Sequence, residues 1–184
     1  AMVQIMRDMM EAEGFDGISY ENWYEGEENN LCYVALYPSQ IKSADAVTYD
    51  NQGNMIPLSQ RFTDSDDIRF RVSPEQENAF QKAYEDKDVE AAQAILDKVA
   101  KAAGYRYKAY HGTPNGGFTV FDNSHRFGEI YFTDNEYIAN SYKNDYAGEN
   151  PTVYSSYLRM PNPLRYDAKR KSYNELANEG KIES

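Results

Sequence analysis

Few side chains in this sequence are suited to catalysis, and the most informative of them is His111. The chain has two histidines and a single cysteine, which excludes a multi-cysteine zinc site and argues against a histidine-rich metal site. His111 follows an alternating strand pattern and precedes Gly112. Because glycine has no side chain, a ligand can approach the backbone closely there. The pair therefore predicts a point where a ligand meets a strand.

A second candidate region combines a strand with a tyrosine-bearing helix. Residues 130–134 form an apolar strand pattern that ends at an aspartate, and the helix after it carries Tyr137, Ser141 and Tyr142 on neighbouring faces. The sequence has 17 tyrosines, and rings that also carry a hydroxyl suit a groove that faces a ligand. Cys32 lies within an apolar strand pattern, where we expect an inert, buried thiol rather than a nucleophile.

The order of the predicted elements indicates an α+β fold. Helices are predicted at residues 3–13, in a hairpin over 73–104, at 134–143 and from 172 onward. Strands are predicted at residues 15–20, 31–37, 105–110, 118–121, 129–133 and 152–159. Residues 63–72 have the composition of a linker.

Local signals fix where several of these helices begin. Ser73 is placed to cap the first helix of the hairpin, with Gln76 completing a capping box. Asp88 is placed to cap the second helix, which carries an apolar stripe from Val89 to Val99. Asp134 is placed to cap the tyrosine-bearing helix. We expect the hairpin to pack on the outside of a sheet.

The bulk composition limits the possible partners. A chain of 184 residues suits one domain, and its net charge of −11 disfavours binding to nucleic acid through phosphate neutralisation. No apolar stretch approaches the roughly 20 residues that span a bilayer, so no membrane segment is predicted. With one cysteine the composition fits a reducing compartment.

Two runs of the sequence together resemble the signature of a known superfamily. Residues 110–113 read Tyr-His-Gly-Thr, residues 130–134 read Ile-Tyr-Phe-Thr-Asp, and Tyr142 lies eight residues after Asp134. They look like the His-Tyr branch of the ADP-ribosyltransferases, which includes poly(ADP-ribose) polymerases and diphtheria-type toxins. The sequence pattern is similar to that of ADP-ribosyltransferase-like domains in polyvalent proteins of phages and mobile elements. This resemblance implies the cytoplasm of a bacterium or a phage-infected cell as the location. The resemblance implies NAD⁺ as substrate and a split β-sandwich of two small sheets flanked by helices.

The resemblance also assigns roles to individual residues. His111 is implied to hydrogen-bond a ribose hydroxyl of NAD⁺, and the backbone of Gly112 to hold the nicotinamide amide. Tyr131 and Tyr142 are implied to sandwich the nicotinamide ring, and Arg126 to face the pyrophosphate, although a solvated loop is an equal alternative for Arg126. The complete set of residues expected at the NAD⁺ site is His111, Gly112, Thr113, Arg126, Tyr131 and Tyr142.

The matching segments occur in an unusual order. Residues 1–62 resemble the C-terminal half of such domains, and residues 105–184 resemble the N-terminal half. One explanation is a single, circularly permuted domain over 1–184, and the other is a tandem array cut within a repeat. We favour the permuted domain, because the helix at 3–13 would follow naturally from the one near residue 172.

The position of the family's glutamate limits what the chemistry can be. Polymerases place a glutamate where this chain has Cys32. Glu27 and Glu28 lie on the adjoining loop and could reach in, although a solvated surface position is the default interpretation for both. The expected catalytic residues are therefore His111, Tyr142 and Glu28. The leading hypothesis is an NAD⁺-dependent mono-ADP-ribosyltransferase acting on a protein acceptor. An inactive NAD⁺-binding or interaction module and an NAD⁺ glycohydrolase are the alternatives.

Overall fold

The sheet at the centre of the fold draws its strands from both ends of the sequence. The computed structural model describes residues 2–22, 30–63, 70–123, 129–144 and 147–166. Its strands are β1 (Gly17–Glu21), β2 (Leu31–Ala35), β3 (Ile41–Ser43), β4 (Tyr107–Thr113), β5 (Ile130–Thr133), β6 (Thr152–Leu158) and β7 (Leu164–Tyr166). Its helices are α1 (Met2–Ala12), α2 (Leu58–Arg61), α3 (Pro74–Glu85), α4 (Val89–Ala102) and α5 (Glu136–Asn144). The predicted α+β class is confirmed.

Strand pairing joins the two matching segments of the chain. The strands are hydrogen-bonded in the order β3-β6-β4-β5-β2-β1-β7, and all neighbours are antiparallel except β1 and β7. Strands from the first segment pair with strands from the last one as β3 with β6, β2 with β5, and β1 with β7. Strands β1 to β3 and β4 to β7 therefore build one sheet. Whether this order arose by circular permutation stays a prediction.

The sheet is nearly divided between β4 and β5. One residue pair, Tyr110 with Thr133, joins these two strands, whereas β4 pairs with β6 over seven residues and β5 with β2 over four. The two small sheets expected from the resemblance correspond to β3-β6-β4 and β5-β2-β1-β7. Hydrogen bonding at the single pair makes them one continuous sheet instead. The strands diverge beside that pair.

Helices α3 and α4 form the predicted hairpin. The Ser73 hydroxyl accepts the N–H of Gln76, and the Gln76 side chain accepts the N–H of Ser73, which confirms the capping box. Asp88 caps α4 by accepting the N–H of Ala91. Buried residues of both helices pack in one cluster with Tyr157 of β6. The hairpin therefore covers the β6 end of the sheet, as predicted.

Two local predictions next to this core are wrong. Val89 was expected in the apolar stripe of α4, but it is 64% exposed because the helix begins there, outside the buried cluster. Residues 118–121 are not a strand. The hydroxyl of Tyr154 bonds to the N–H and C=O of Phe118, so a side chain replaces the expected strand pairing.

The cap of α5 also differs from the prediction. The Asn135 side chain accepts the N–H of Tyr137 at 2.9 Å and caps the helix. The carboxylate of Asp134 instead accepts the N–H of Leu31 at 3.0 Å. Because the Asp134 N–H also donates to the Leu31 carbonyl, this aspartate extends the pairing of β2 with β5.

Some predicted features fall outside the described residues. These are the helix from residue 172 and most of the linker over 63–72. Among the helices of the described segments, none combines the length and the apolar character needed to cross a membrane.

Gln40 connects the ends of three strands through its carboxamide. Its Oε1 accepts the N–H groups of Leu36 at 2.8 Å and Tyr37 at 2.9 Å, just after β2. Its Nε2 donates to the carbonyls of Asp16 at 2.6 Å and Arg159 at 3.2 Å, which flank β1 and β6. The acceptor and the donor of this side chain are both used, and they tie together strands from distant parts of the sequence.

We expect Gln40→Leu to lower the free energy of unfolding by about 2–4 kcal/mol, because buried backbone groups around Leu36 lose their partner. Gln40→Glu keeps the acceptor and should give a smaller loss. Gln52→Leu, in an exposed turn, is the control and should change stability by less than about 0.5 kcal/mol. Urea unfolding followed by circular dichroism measures all three. Equal losses for Gln40→Leu and Gln52→Leu would contradict this role.

Candidate functional site

A cleft of about 550 Å³ opens beside the junction between β4 and β5. Across the sheet, Tyr20 pairs with Cys32, Cys32 with Thr133, and Thr133 with Tyr110. All four residues line the cleft. Directly paired residues place their side chains on the same side of a sheet, so one face of β1, β2, β5 and β4 forms the floor. Helix α5 supplies a further wall through Tyr142 and its neighbours.

His111 lines this cleft and bridges the two diverging strands. It lies inside β4, paired with Tyr154 of β6, rather than after the strand as the sequence suggested. Its Nδ1 lies 2.7 Å from the carbonyl oxygen of Tyr131. A carbonyl only accepts hydrogen bonds, so Nδ1 carries the proton and Nε2 keeps its lone pair. Burial lowers the pKa of His111, and the bond to Tyr131 opposes this only in part. The imidazole is therefore neutral at pH 7.

The hydrogen bond from His111 takes the place of a backbone bond. In an antiparallel ladder, alternate residues direct their N–H and C=O groups to opposite neighbours. The Asp134 N–H donates to Leu31 beside β2, so even-numbered residues of β5 face β2 and Tyr131 faces β4. The ladder between β4 and β5 contains one residue pair. Beyond that pair, the Tyr131 carbonyl accepts a hydrogen bond from the imidazole of His111 instead of from the backbone of β4. The side chain thus continues the connection where backbone pairing stops.

The backbone of Gly112 faces the same gap. Ser155 of β6 accepts the N–H of Ala44 beside β3, so its neighbour Tyr154 directs its backbone groups to β4. His111, the partner of Tyr154, therefore bonds to β6. By the same alternation, Gly112 turns its N–H and C=O toward the β5 side, where the cleft lies. The backbone of Gly112 therefore faces the cleft, and its expected contact with the nicotinamide amide stays a prediction.

The missing side chain of Gly112 has a different role from the one expected. A Cβ added to Gly112 would lie 1.7 Å from the carbonyl oxygen of Ala139 in α5. The space is therefore filled by the helix backbone and not by a ligand. Glycine is needed here because it lets α5 pack directly on β4, and this contact places the wall of the cleft.

Tyr131 and Tyr142 approach the cleft from different elements. Tyr131 is on β5 and Tyr142 on α5, and they are 52% and 40% exposed. Both line the cleft, whereas Tyr137 on the same helix is 81% exposed and lies outside it. Burial raises the pKa of Tyr131, and the charge of Glu129 adds to the effect. Two neutral aromatic rings therefore frame the cleft, one on the sheet and one on the helix.

Cys32 lies at the floor of the cleft. Its side chain is buried, and the Nδ2 of Asn22 donates to its Sγ at 3.5 Å. Asn22 is itself buried and also lines the cleft. The described residues that line the cleft include no carboxylate. The thiol of Cys32, beside the carboxamide of Asn22, lies where the resemblance expects a glutamate.

Three predicted site residues are not brought into the cleft by the described structure. Thr113 ends β4, and its hydroxyl accepts the N–H of Asn115 at 3.2 Å, within a turn. It is not among the residues that line the cleft. Glu28 and Arg126 lie outside the described residues, so their expected roles stay predictions. No group of histidine, cysteine, aspartate and glutamate side chains suited to a metal ion occurs within the described segments.

The lining residues that sequence reasoning missed include Tyr20 and Asn22. Tyr20 and Asn22 are two positions apart, which does indicate a shared face of a strand. Their position at the cleft, however, depends on the pairing of β1 with β2 and of β2 with β5. Nothing in the local sequence specifies those pairings.

A comparison with known families agrees with this geometry. Residues 101–184 match the family model described as ADP-ribosyltransferase in polyvalent proteins. The matched segment includes His111, Gly112, Tyr131 and Tyr142, which all line the cleft. Residues 101–184 are therefore similar to ADP-ribosyltransferase domains of polyvalent proteins. Neither the curated proteins nor the solved structures gave a significant match.

We expect Gly112→Ala to displace α5, because the new Cβ would overlap the Ala139 carbonyl. The free energy of unfolding should fall by about 3 kcal/mol, at the upper end of the usual cost of overpacking. Gly14→Ala is the matched control: it has open space around it but a φ of +83°, and should cost about 1 kcal/mol through backbone strain alone. Denaturant unfolding and the amide spectrum of α5 measure the effects. If the amide signals of α5 are unchanged in Gly112→Ala, the packing role of Gly112 is refuted.

We expect His111 to titrate below 6.5, the ordinary value for histidine, because burial disfavours its charged form. As the pH falls below 6.5, the unfolded chain takes up this proton and the folded chain does not, so His111 makes folding less favourable toward lower pH. NMR of the imidazole in a His125→Gln background, which leaves one histidine, measures the pKa and the tautomer. A pKa at or above 6.5, or a proton on Nε2 in the neutral form, would show this assignment to be wrong.

Proposed function

We propose that this domain binds NAD⁺ in the cleft and transfers ADP-ribose to a side chain of a protein acceptor. The proposal is carried by one observation: His111, Gly112, Tyr131 and Tyr142 converge on a single cleft. These residues also lie in the part of the chain that matches the ADP-ribosyltransferase model. The net charge of −11 disfavours a nucleic-acid acceptor, so a protein acceptor is the better hypothesis.

The groups in the cleft match the chemistry of the nicotinamide riboside part of NAD⁺. The Nε2 of His111 accepts a hydrogen bond from a ribose hydroxyl, since Nδ1 is held by Tyr131. The N–H and C=O of Gly112 complement the C=O and NH₂ of the nicotinamide carboxamide. The rings of Tyr131 and Tyr142 offer electron-rich faces to the cationic pyridinium ring. Together these contacts fix the position of the bond that is to be cleaved.

The proposed reaction is a substitution at the ribose C1′. The bond between C1′ and the nicotinamide nitrogen breaks, and its electrons leave with nicotinamide. A nucleophilic atom of the acceptor forms the new bond to C1′ and gives up its proton. The ribose is positively charged in the transition state, so positioning and electrostatic stabilisation are the main tasks of the protein. His111 and Tyr142 act as positioning groups that touch the substrate, and Glu28 is the proposed carboxylate.

A second candidate function is an NAD⁺-binding module without turnover. It is supported by Cys32 at the position of the family's glutamate and by the neutral lining of the cleft among the described residues. A third outcome, hydrolysis of NAD⁺, follows if water takes the place of the acceptor. The three possibilities share the binding step and differ in what happens at C1′.

The same reasoning extends to the arrangement of the chain. We propose that residues 1–62 and 105–184 are two parts of one permuted domain, with 63–72 as linker and 73–104 as the helical hairpin. The three pairings of early strands with late strands support this proposal. Cys32 on β2 and Thr133 on β5 reach the floor of one cleft through such a pairing.

Labelled NAD⁺ incubated with the protein and cell lysate tests the proposal. We expect label on a macromolecule and release of nicotinamide. His111→Ala and Tyr142→Ala should each lower both by about tenfold or more, equivalent to losing roughly 1.4 kcal/mol of binding or transition-state stabilisation. Tyr137→Ala is the control, because this tyrosine lies on the same helix but outside the cleft.

The pattern of products separates the candidate functions. Nicotinamide without labelled macromolecule identifies hydrolysis, and bound NAD⁺ without nicotinamide identifies a binding module. In the last case, Cys32→Glu should introduce nicotinamide release, while the uncharged Cys32→Gln should not. Failure of the wild-type protein to bind NAD⁺, or equal effects of His111→Ala and Tyr137→Ala, would rule the proposal out.

A further inference from the structure

The ring of His111 is packed against three aromatic side chains on the side away from the cleft floor. Its centroid lies 5.1 Å from Phe121, in an edge-to-face arrangement, 5.6 Å from Phe132 and 6.5 Å from Tyr154. Phe118 completes the group, stacked on Tyr154 at 4.6 Å and 5.0 Å from Phe121. We call these four residues the aromatic clamp. The Nδ1 bond to Tyr131 restrains one edge of the imidazole, and the clamp restrains its faces.

A single hydroxyl holds the irregular part of the clamp in place. Residues 117–121 have no strand partner, yet their start is tied to β6. The Tyr154 oxygen accepts the N–H groups of Gly117 at 2.8 Å and Phe118 at 3.1 Å, and the same hydroxyl donates to the Phe118 carbonyl at 3.1 Å. Tyr154 therefore performs two tasks: its ring packs on His111, and its hydroxyl fixes the segment that carries Phe121.

The clamp also separates two cavities. His111 lines the cleft described above, while Phe118, Phe121 and Tyr154 line a second cavity of about 630 Å³ beside β3 and β6. The rings of Phe121 and Tyr154 therefore lie between the imidazole and the second cavity. Removing one of these rings would let water reach the side of the imidazole that packs against the clamp, and hydration favours the charged form of a histidine.

We infer that Phe121 and Tyr154 are positioning residues for His111, which hold its ring in the orientation and tautomer that leave Nε2 to the cleft. The inference deepens the proposed function, since it concerns the residue proposed to hold the ribose. It does not depend on that function, however, because the orientation of the ring exists without a ligand. Aromatic contacts of this kind contribute to stability beyond the area they bury, but a purely structural role would not alter the titration of one histidine.

The test compares imidazole titrations in a His125→Gln background. We expect Phe121→Leu to raise the proton affinity of His111 by about threefold or more, a shift of about half a pKa unit, as its back becomes hydrated. The neutral form should become a mixture of the two tautomers. Tyr154→Phe keeps the ring and loses the hydroxyl, and should give a smaller change in the same direction. Phe80→Leu, in the separate cluster under α3 and α4, is the control for loss of buried volume.

The outcomes separate this inference from the proposed function. The positioning role is refuted if the pKa of His111 is the same in Phe121→Leu and Tyr154→Phe as in Phe80→Leu, and if the proton stays on Nδ1 in all three variants. If Phe121→Leu does not fold, Tyr154→Phe alone decides, because it removes one oxygen atom. If the pKa of His111 changes in these variants but the wild-type protein does not bind NAD⁺, the inference is supported and the proposed function is contradicted. Where NAD⁺ binds, its Kd should rise about fivefold in Phe121→Leu, as for the loss of one hydrogen bond.

Discussion

The hydrogen bond from His111 to the carbonyl of Tyr131 is the interaction on which the cleft depends. Backbone pairing between β4 and β5 stops after one residue pair, which leaves the Tyr131 carbonyl without a strand partner. The imidazole satisfies that carbonyl at 2.7 Å and so allows the strands to diverge. In doing so it fixes which nitrogen of His111 carries the proton. The opening of the sheet and the chemistry of the cleft thus have the same cause.

Two neighbouring residues divide the construction of the site between them. His111 connects the two groups of strands, and Gly112 lets α5 approach β4 until the Ala139 carbonyl occupies the space of a Cβ. The first contact sets the floor of the cleft and the second sets a wall. Because Tyr142 is carried by α5, its position over the floor depends on Gly112. His111 and Gly112 together therefore determine where both tyrosines of the cleft lie.

The sequence predicts the features that depend on local signals, and the structure confirms several of them. The capping box at Ser73 and the strand and helix that carry Tyr131 and Tyr142 follow from short-range patterns. The row from Tyr20 to Tyr110 across four strands does not, because it requires pairings between distant segments. The failed strand at residues 118–121 has a similar cause. Alternating residues predict a strand, but the Tyr154 hydroxyl binds the backbone that a partner strand would need.

The neutral lining of the cleft has a consequence for catalysis. Aromatic faces such as those of Tyr131 and Tyr142 attract the cationic nicotinamide ring of intact NAD⁺, and this attraction weakens once the bond breaks and nicotinamide becomes neutral. Such contacts favour the ground state, and only interactions that grow stronger in the transition state accelerate a reaction. As nicotinamide loses its charge, the ribose gains it, so turnover requires an anionic group near C1′. Cys32 does not supply one while it is a thiol. The described lining therefore suits the proposed binding of NAD⁺, and the proposed cleavage requires a carboxylate that the described lining residues do not supply, for which Glu28 is the proposed candidate.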